Sequence, residues 1–227
     1  MFHEFTPEQL LGPLNDVEMQ RAPKCLFLAG DADLFRHQPR VAVVGSRKAS
    51  PAGVKRSQKI SRLLVERGAI VVSGLAEGID TAAHRAAIDA GGKTIAVIGT
   101  PLDKFYPRSN MDLQREMMAK HGVISQFPSG YPTLPKNFPM RNTTMALIVS
   151  ASVIVEAGNT SGALSQGWET LRLGRLLFIM ESVYADPQLS WPKEMVGYGA
   201  QVLSNDNVEE FFDALPVAMT STDAITV

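Results

Sequence analysis

The chain has 227 residues, 45% of them hydrophobic and 20% charged, which is ordinary for a globular protein and excludes disordered and collagen-like readings. No apolar run approaches the roughly 20 residues that cross a bilayer, and Met1 to Leu10 carries Glu4 and Glu8 where a secretory leader would be basic and then apolar. A net charge of −1 and a pI near 6.4 exclude coating of nucleic acid through bulk charge, so any anion binding must come from a local patch.

In chain order, residues 1–40 read as a lead-in packed on the core, with an extra strand at Leu26 to Ala29. Then β-branched runs alternate with helical patterns. Val41 to Val44 leads to a helix over Ala52–Glu66, Ile70 to Val72 to one over Glu77–Asp89, and Thr94 to Ile98 to one over Asn110–His121. Val123 to Ser125 leads to Pro139–Val149, and Ser152 to Val155 to Ser161–Leu173. Leu176 to Ile179 is followed by a short strand at Gln201–Leu203 and a last helix near Val208–Ala214. Several of the helical segments start beside Ser, Asp, Asn or Pro, as helix starts do. Strands separated by helices predict an α/β fold with a doubly wound, mostly parallel, Rossmann-like sheet covered on both faces. Residues 41–215 form one domain in this reading, because no linker divides them, and 216–227 form a loose tail.

One cysteine, Cys25, cannot make an internal disulfide, and the four histidines lack metal-ligand spacing. A reducing cytoplasm, no metal and no cofactor are the expectations. In a doubly wound sheet, ligands bind beyond the carboxyl ends of the strands. Four loops fall there. Gly45-Ser46-Arg47-Lys48, before Ser50-Pro51, offers backbone N–H groups and two cations to an anion. Ser73 to Asp80 places Gly74 and Gly78 where a ligand can approach backbone closely, but without the G-x-G-x-x-G spacing of dinucleotide enzymes; His84, beyond it, reads as a packed helix residue.

The third stretch, Gly99 to Met140, interleaves Lys104, Arg108 and Lys136 with Phe105, Tyr106, Phe127, Tyr131 and Phe138, then reaches Arg141-Asn142. Cations among rings suit a single nucleic-acid strand, whose phosphates need charge and whose bases stack. Each ring taken alone fits equally well as packing between loop and core. The fourth loop, Glu156-Ala157-Gly158-Asn159-Thr160-Ser161-Gly162, brings N–H and hydroxyl donors suited to phosphate. Gly92-Lys93-Thr94 imitates the end of a Walker A loop, but position 87 is alanine and the triplet precedes a strand, so it reads as an ordinary turn.

Together and in this order, VAVVGSR (Val41 to Arg47), VSGLAEGIDTAAH (Val72 to His84), TIAVIGTPLDKFYP (Thr94 to Pro107), FPMRN (Phe138 to Asn142) and VEAGNTSGAL (Val155 to Leu164) resemble the DprA/Smf family, DNA-processing protein A. The similarity runs from about Leu10 to Leu203. It implies a Rossmann-like fold, binding of single-stranded DNA in a basic pocket, homodimerisation, and loading of RecA during transformation or repair. Carried over by position, it implies that Arg47, Lys136 and Arg141 are the pocket cations, beside Lys48 and Asn142. Gly45, Ser46, Ser161 and Gly162 would give close approach or phosphate bonds, while Gly74, Gly78, Asp80, Glu156 and Gly158 shape the pocket. The chain departs from the family pattern at Thr143, where arginine commonly follows FPMRN, at Ser165-Gln166-Gly167, and at Leu177 to Glu181.

The alternative is a nucleotide-binding sensor, or a phosphoribohydrolase like the related LOG enzymes. Those hydrolases place a glutamate four residues after the last glycine of their phosphate loop. Here that position is Gln166, which is no carboxylate, and Glu169 comes three residues, nearly one turn, later. The sequence therefore reads as a binder of DNA and not an enzyme.

Overall fold

Val41 to Val44 is buried on both sides: Val41 and Val43 pack into one apolar cluster, Ala42 and Val44 into another. A strand with helices on both faces requires this continuous apolarity. The computed structural model describes residues 2–36 and 38–215; the tail expected at 216–227 lies outside the described residues.

The lead-in holds β1 (His3–Phe5), α1 (Pro7–Leu11), α2 (Asp16–Arg21), β2 (Leu26–Gly30) and a 3-10 turn, Ala32–Phe35. Then come β3 (Arg40–Gly45), α3 (Pro51–Glu66), β4 (Ile70–Ser73), α4 (Ile79–Asp89), β5 (Thr94–Val97), α5 (Met111–Lys120) and β6 (Gly122–Ser125). The second half adds α6 (Asn137–Ile148), β7 (Ala151–Glu156), α7 (Gly162–Arg172), β8 (Leu176–Met180), α8 (Glu181–Tyr184), α9 (Trp191–Gly197), β9 (Gln201–Leu203) and α10 (Val208–Asp213).

These strands form one nine-stranded sheet in the order β1-β2-β6-β5-β4-β3-β7-β8-β9. From β6 across to β9 every pairing is parallel, while β2 joins β6, and β1 joins β2, antiparallel. The lead-in thus closes one end of an otherwise parallel sheet. On one face Met145 and Ile148 of α6, Ala163 of α7 and Trp191 and Met195 of α9 pack on Ala42, Val72, Val97 and Ile154. The same cluster takes in Leu26, Leu28, Leu34 and Phe35. On the other face lie Ile60 and Leu64 of α3, Ile79 and Ala83 of α4, and Phe211 of α10, with Leu113 and Met117 of α5 covering Ala96 and Val123.

Two helix starts differ from the expectation by two residues, the others by at most one. α4 begins at Ile79 rather than Glu77 because Gly78 holds a left-handed φ of 76°. α6 begins at Asn137, two residues early, because a proline in the first turn gives up no helical hydrogen bond.

Candidate functional site

From β3 the chain steps through α3 to β4 on one side, and β7 later fills the other side of β3. The order of the strands reverses between β3 and β7, which opens a crevice at their carboxyl ends. A cleft of about 540 Å³ lies there. Its wall is made by Val44 to Lys48 at and just after the end of β3, Ala76 before α4 and Asp80 in its first turn, Asn142 and Met145 of α6, and Gly158, Thr160 to Ala163 and Gln166 around the start of α7.

The Gly45-Ser46-Arg47 loop is held by backbone hydrogen bonds. Ser46 N donates to Glu156 O at 2.7 Å and Ile79 N to Ser46 O at 3.2 Å. A Cβ on Gly45 would stand 2.6 Å from Glu156 O, and one on Gly78 2.3 Å from Ser46 O, so neither position has room for a side chain. Arg47 and Lys48 project outward and are exposed. Opposite them, Ser161 caps α7, its hydroxyl accepting from Ala163 N at 3.3 Å. The free N–H groups of that helix start and its dipole give the cleft a positive end. Asn142 Nδ2 donates to Gly162 O at 3.1 Å, which ties α6 to this turn.

Next to this cleft is a smaller one of about 60 Å³, bounded by Arg47, Gly74, Gly99, Tyr106 and Phe138 among others. The Arg47 guanidinium sits 5.5 Å from the centre of the Phe138 ring, and Tyr106 lies 5.5 Å from the same ring. Tyr106 is 47% exposed. The remaining rings of that stretch are engaged elsewhere: Phe127 is buried against Tyr131, and Phe105 lies beneath Arg115.

Arg141 lines neither cleft. It is only 7% exposed, its Nη1 donates to Val97 O at 2.7 Å, and it fills the space that a Cβ on Gly74 would occupy, 1.8 Å from Nη1. Burial lowers its pKa from the ordinary arginine value, against the nearby Asp80 carboxylate and with the Arg47 charge. Asp80 is buried too, and its Oδ2 accepts from Gly74 N at 3.1 Å and Ala76 N at 3.3 Å. Burial raises the Asp80 pKa, opposed by Arg141 and by those backbone bonds. The two form a buried support under the loop at 74–78. That loop carries a strained left-handed Leu75, φ 56°, held by Asn110 Nδ2 donating to Leu75 O at 2.9 Å.

Glu156 turns away from the cleft. Its carboxylate accepts from Ser50 N at 2.8 Å and from the Ser50 hydroxyl, and pairs with Arg56 at 3.5 Å, so it locks the start of α3. Lys136 is exposed at the start of α6 and lines neither cleft. Gln166 is buried in the cleft wall, with Nε2 3.4 Å from Ser152 Oγ. Glu169 faces the lead-in, bonded to Arg21 at 3.2 Å and Arg172 at 2.6 Å. Lys93 donates to Lys120 O at 2.9 Å, and Thr94 to Val71 O at 2.7 Å, at the amino end of β5, so the Walker-like triplet is a turn away from the site.

The sequence did not single out Met145, Ala76 or Asn110 as site residues. Asn110 follows Pro107 in the aromatic stretch and looks like an ordinary helix start; only the fold brings it to Leu75. Among the described residues no group of three or more His, Cys, Asp or Glu gathers to hold a metal, and no described helix is long and apolar enough to cross a membrane.

The chain is 40% identical over 196 residues to DNA processing protein DprA of Streptococcus pneumoniae, covering 86% of this chain and 69% of that one. It spans 65% of the Bacillus subtilis DprA, at 30% identity. The X-ray structure of the S. pneumoniae protein superposes with a TM-score of 0.79 at 37% identity, over 92% of this chain and 74% of that one. A Helicobacter pylori DNA processing protein A structure, described for its single-stranded DNA binding mode, superposes at 0.78 with 22% identity, over 93% and 94%, and shares the fold. The sequence pattern of the family described as DNA recombination-mediator protein A matches residues 6–215, nearly the whole described chain, and the chain belongs to that family, the DprA/Smf proteins.

Proposed function

We propose that the cleft at the β3–β7 crevice holds single-stranded DNA with little sequence preference and performs no reaction on it. Arg47 carries this reading. It is an exposed cation reaching both clefts, stacked on Phe138, with the exposed ring of Tyr106 beside it. A charge for phosphate next to a face for a base is what a single strand needs. The α7 start and Ser161 supply further donors, while Arg141 and Asp80 support the loops from beneath. The relative described for single-stranded DNA binding has the same fold. Gln166 stands where a hydrolase would need a carboxylate, and Glu169 is occupied by two arginines. The family's description as recombination mediators suits a DNA holder that passes its strand to a recombinase; RecA as that partner and a homodimer as the assembly belong to this reading.

Titration with oligonucleotides from a mononucleotide to about 20 thymidines tests it. Affinity should rise over the first several nucleotides and fall with salt, at a log-log slope near −0.7 per phosphate neutralised. Arg47→Ala should weaken binding and flatten the slope by about one phosphate's worth. Equal affinity for the mononucleotide and the long strand, unchanged by Arg47→Ala, would instead mark the site as an enclosed nucleotide pocket.

A further inference from the structure

The cation run that starts in the cleft does not end there. Between Arg47 and Arg62 the sequence has six cations, Arg47, Lys48, Lys55, Arg56, Lys59 and Arg62, and no carboxylate, although the whole chain carries 22 basic against 23 acidic residues. Helical geometry sorts them. The buried side of α3 is Gly53, Ser57, Ile60, Ser61 and Leu64. At about 100° per residue, Lys55, Lys59 and Arg62 then fall on the opposite crest, and all three are exposed. Of the six, Arg56 alone forms an ion pair among the described residues, with Glu156; Lys59 bonds the neutral Asn205 Oδ1 at 2.7 Å.

Several exposed arginines elsewhere are matched by acids. Arg36, Arg67, Arg85 and Arg115 each pair with a carboxylate. Across the groove beside α3, the wall opposite Arg56 and Lys59 carries Glu181, and Glu209 on α10 is drawn to Arg67 at the far end of α3. Acidic groups therefore bound the crest on that side, and Glu66 closes it at its end. A uniformly positive ridge within a near-neutral molecule, continuous with Lys48 in the cleft wall, attracts a polyanion that is already seated in the cleft.

We propose that α3 is a track for the flanking segment of the bound strand: a single strand leaving the cleft past Lys48 runs along Lys55, Lys59 and Arg62 and contacts them through phosphate alone. From Lys55 to Arg62 the helix rises about 10 Å. The ridge has no aromatic residue, so it adds charge without base stacking. This rests on the single-strand reading of the cleft.

The test compares thymidine oligonucleotides of about 6 and about 20 residues, spanning the short and long ends of single-strand site sizes. A triple Lys55→Ala, Lys59→Ala, Arg62→Ala variant should bind the 20-mer roughly tenfold more weakly, with a salt slope smaller by about 2, while the 6-mer is held as by the wild type. Removing Lys93 and Lys120, at the amino ends of β5 and β6 and so at the opposite end of the strands from the cleft, should change neither. If the triple variant holds the 20-mer with wild-type affinity and slope while Arg47→Ala loses both oligonucleotides, the track is wrong and the cleft reading stands. An equal loss for 6-mer and 20-mer also overturns the track, since it makes the ridge a general field. If the wild type binds neither length at low salt, the cleft reading falls and the track with it.

Discussion

His84 is fully buried on α4, and its bonds fix its tautomer. Thr94 Oγ1 donates its one proton to the Val71 carbonyl at 2.7 Å, so His84 Nδ1, 2.7 Å from the same oxygen, must be the donor to it. The other ring nitrogen, Nε2, is buried without a partner. A second proton would place an uncompensated charge in the core, and burial, with the positive fields of His121, Arg141 and Arg85, lowers the pKa from 6.5 to about 3. The unfolded chain takes up this proton near pH 6.5 and the folded one near 3, so in that window the unfolded state binds more protons and stability falls as pH falls. The slope from this one group is about 1.4 kcal/mol per pH unit. Urea unfolding from pH 7 to 4 should show it, and His84→Gln should remove it while leaving the carboxylate part. The same pH slope in both proteins would assign the acid sensitivity to other groups. The sequence suggested a packed role for His84, but the partner that makes it a neutral donor is ten residues away on the next strand. Arg141 shows the same limit from the other side: FPMRN identifies a cation of the site, and only the packed structure shows that it is buried under Gly74 and lines neither cleft.

Elements were legible in proportion to how much of their pattern was local. The parallel strands announced themselves because burial on both faces leaves apolar runs four or five residues long. α1 and α2 were readable but missed: Thr6 with Gln9, and Asn15 with Glu18, form complete capping boxes. β1 has three half-exposed or exposed residues and no periodicity to find. The lock on α3 was beyond sequence reading, since Ser50 and Glu156 are 106 residues apart. Ser50 is the N-cap, accepting from Gly53 N at 2.9 Å while its hydroxyl proton goes to Glu156. Ser50→Ala should therefore lower the unfolding free energy by about 1–2 kcal/mol through the lost cap, read as a shifted urea midpoint at unchanged m. Ser50→Thr, which keeps the hydroxyl, should restore most of it. A midpoint unmoved by Ser50→Ala would mean that Glu156 alone, through Ser50 N and Arg56, holds the start of the helix.

At the scale of the whole molecule, the crevice is only as rigid as the sheet that carries it, and the lead-in is woven into that sheet. β2 covers the free edge of β6, with Phe27 opposite Ser125 and Leu28 opposite Ile124. Leu26 and Leu28 are fully buried in the cluster that also holds Met145 of α6 and Ile154 of β7. Arg175, after α7, pairs with Glu18 of α2, Arg21 pairs with Glu169 of α7, and Arg40 donates from Nε to the Ile148 carbonyl at 2.6 Å. The charges and apolar groups of the first forty residues thus close against both halves of the sheet. Deleting residues 1–31 would expose the β6 edge and the apolar surface under Leu26 and Leu28, an edge of the kind that pairs with other chains. The truncated chain should be aggregation-prone, and whatever soluble fraction remains should unfold at a much lower temperature. A milder cut makes the same point within a folded protein: Leu28→Ala should cost about 2–5 kcal/mol, the range for removing a buried leucine, and should lower the whole unfolding transition without splitting it. Two separate transitions, or a truncated chain that melts where the intact one does, would show that the sheet from β3 to β9 stands alone.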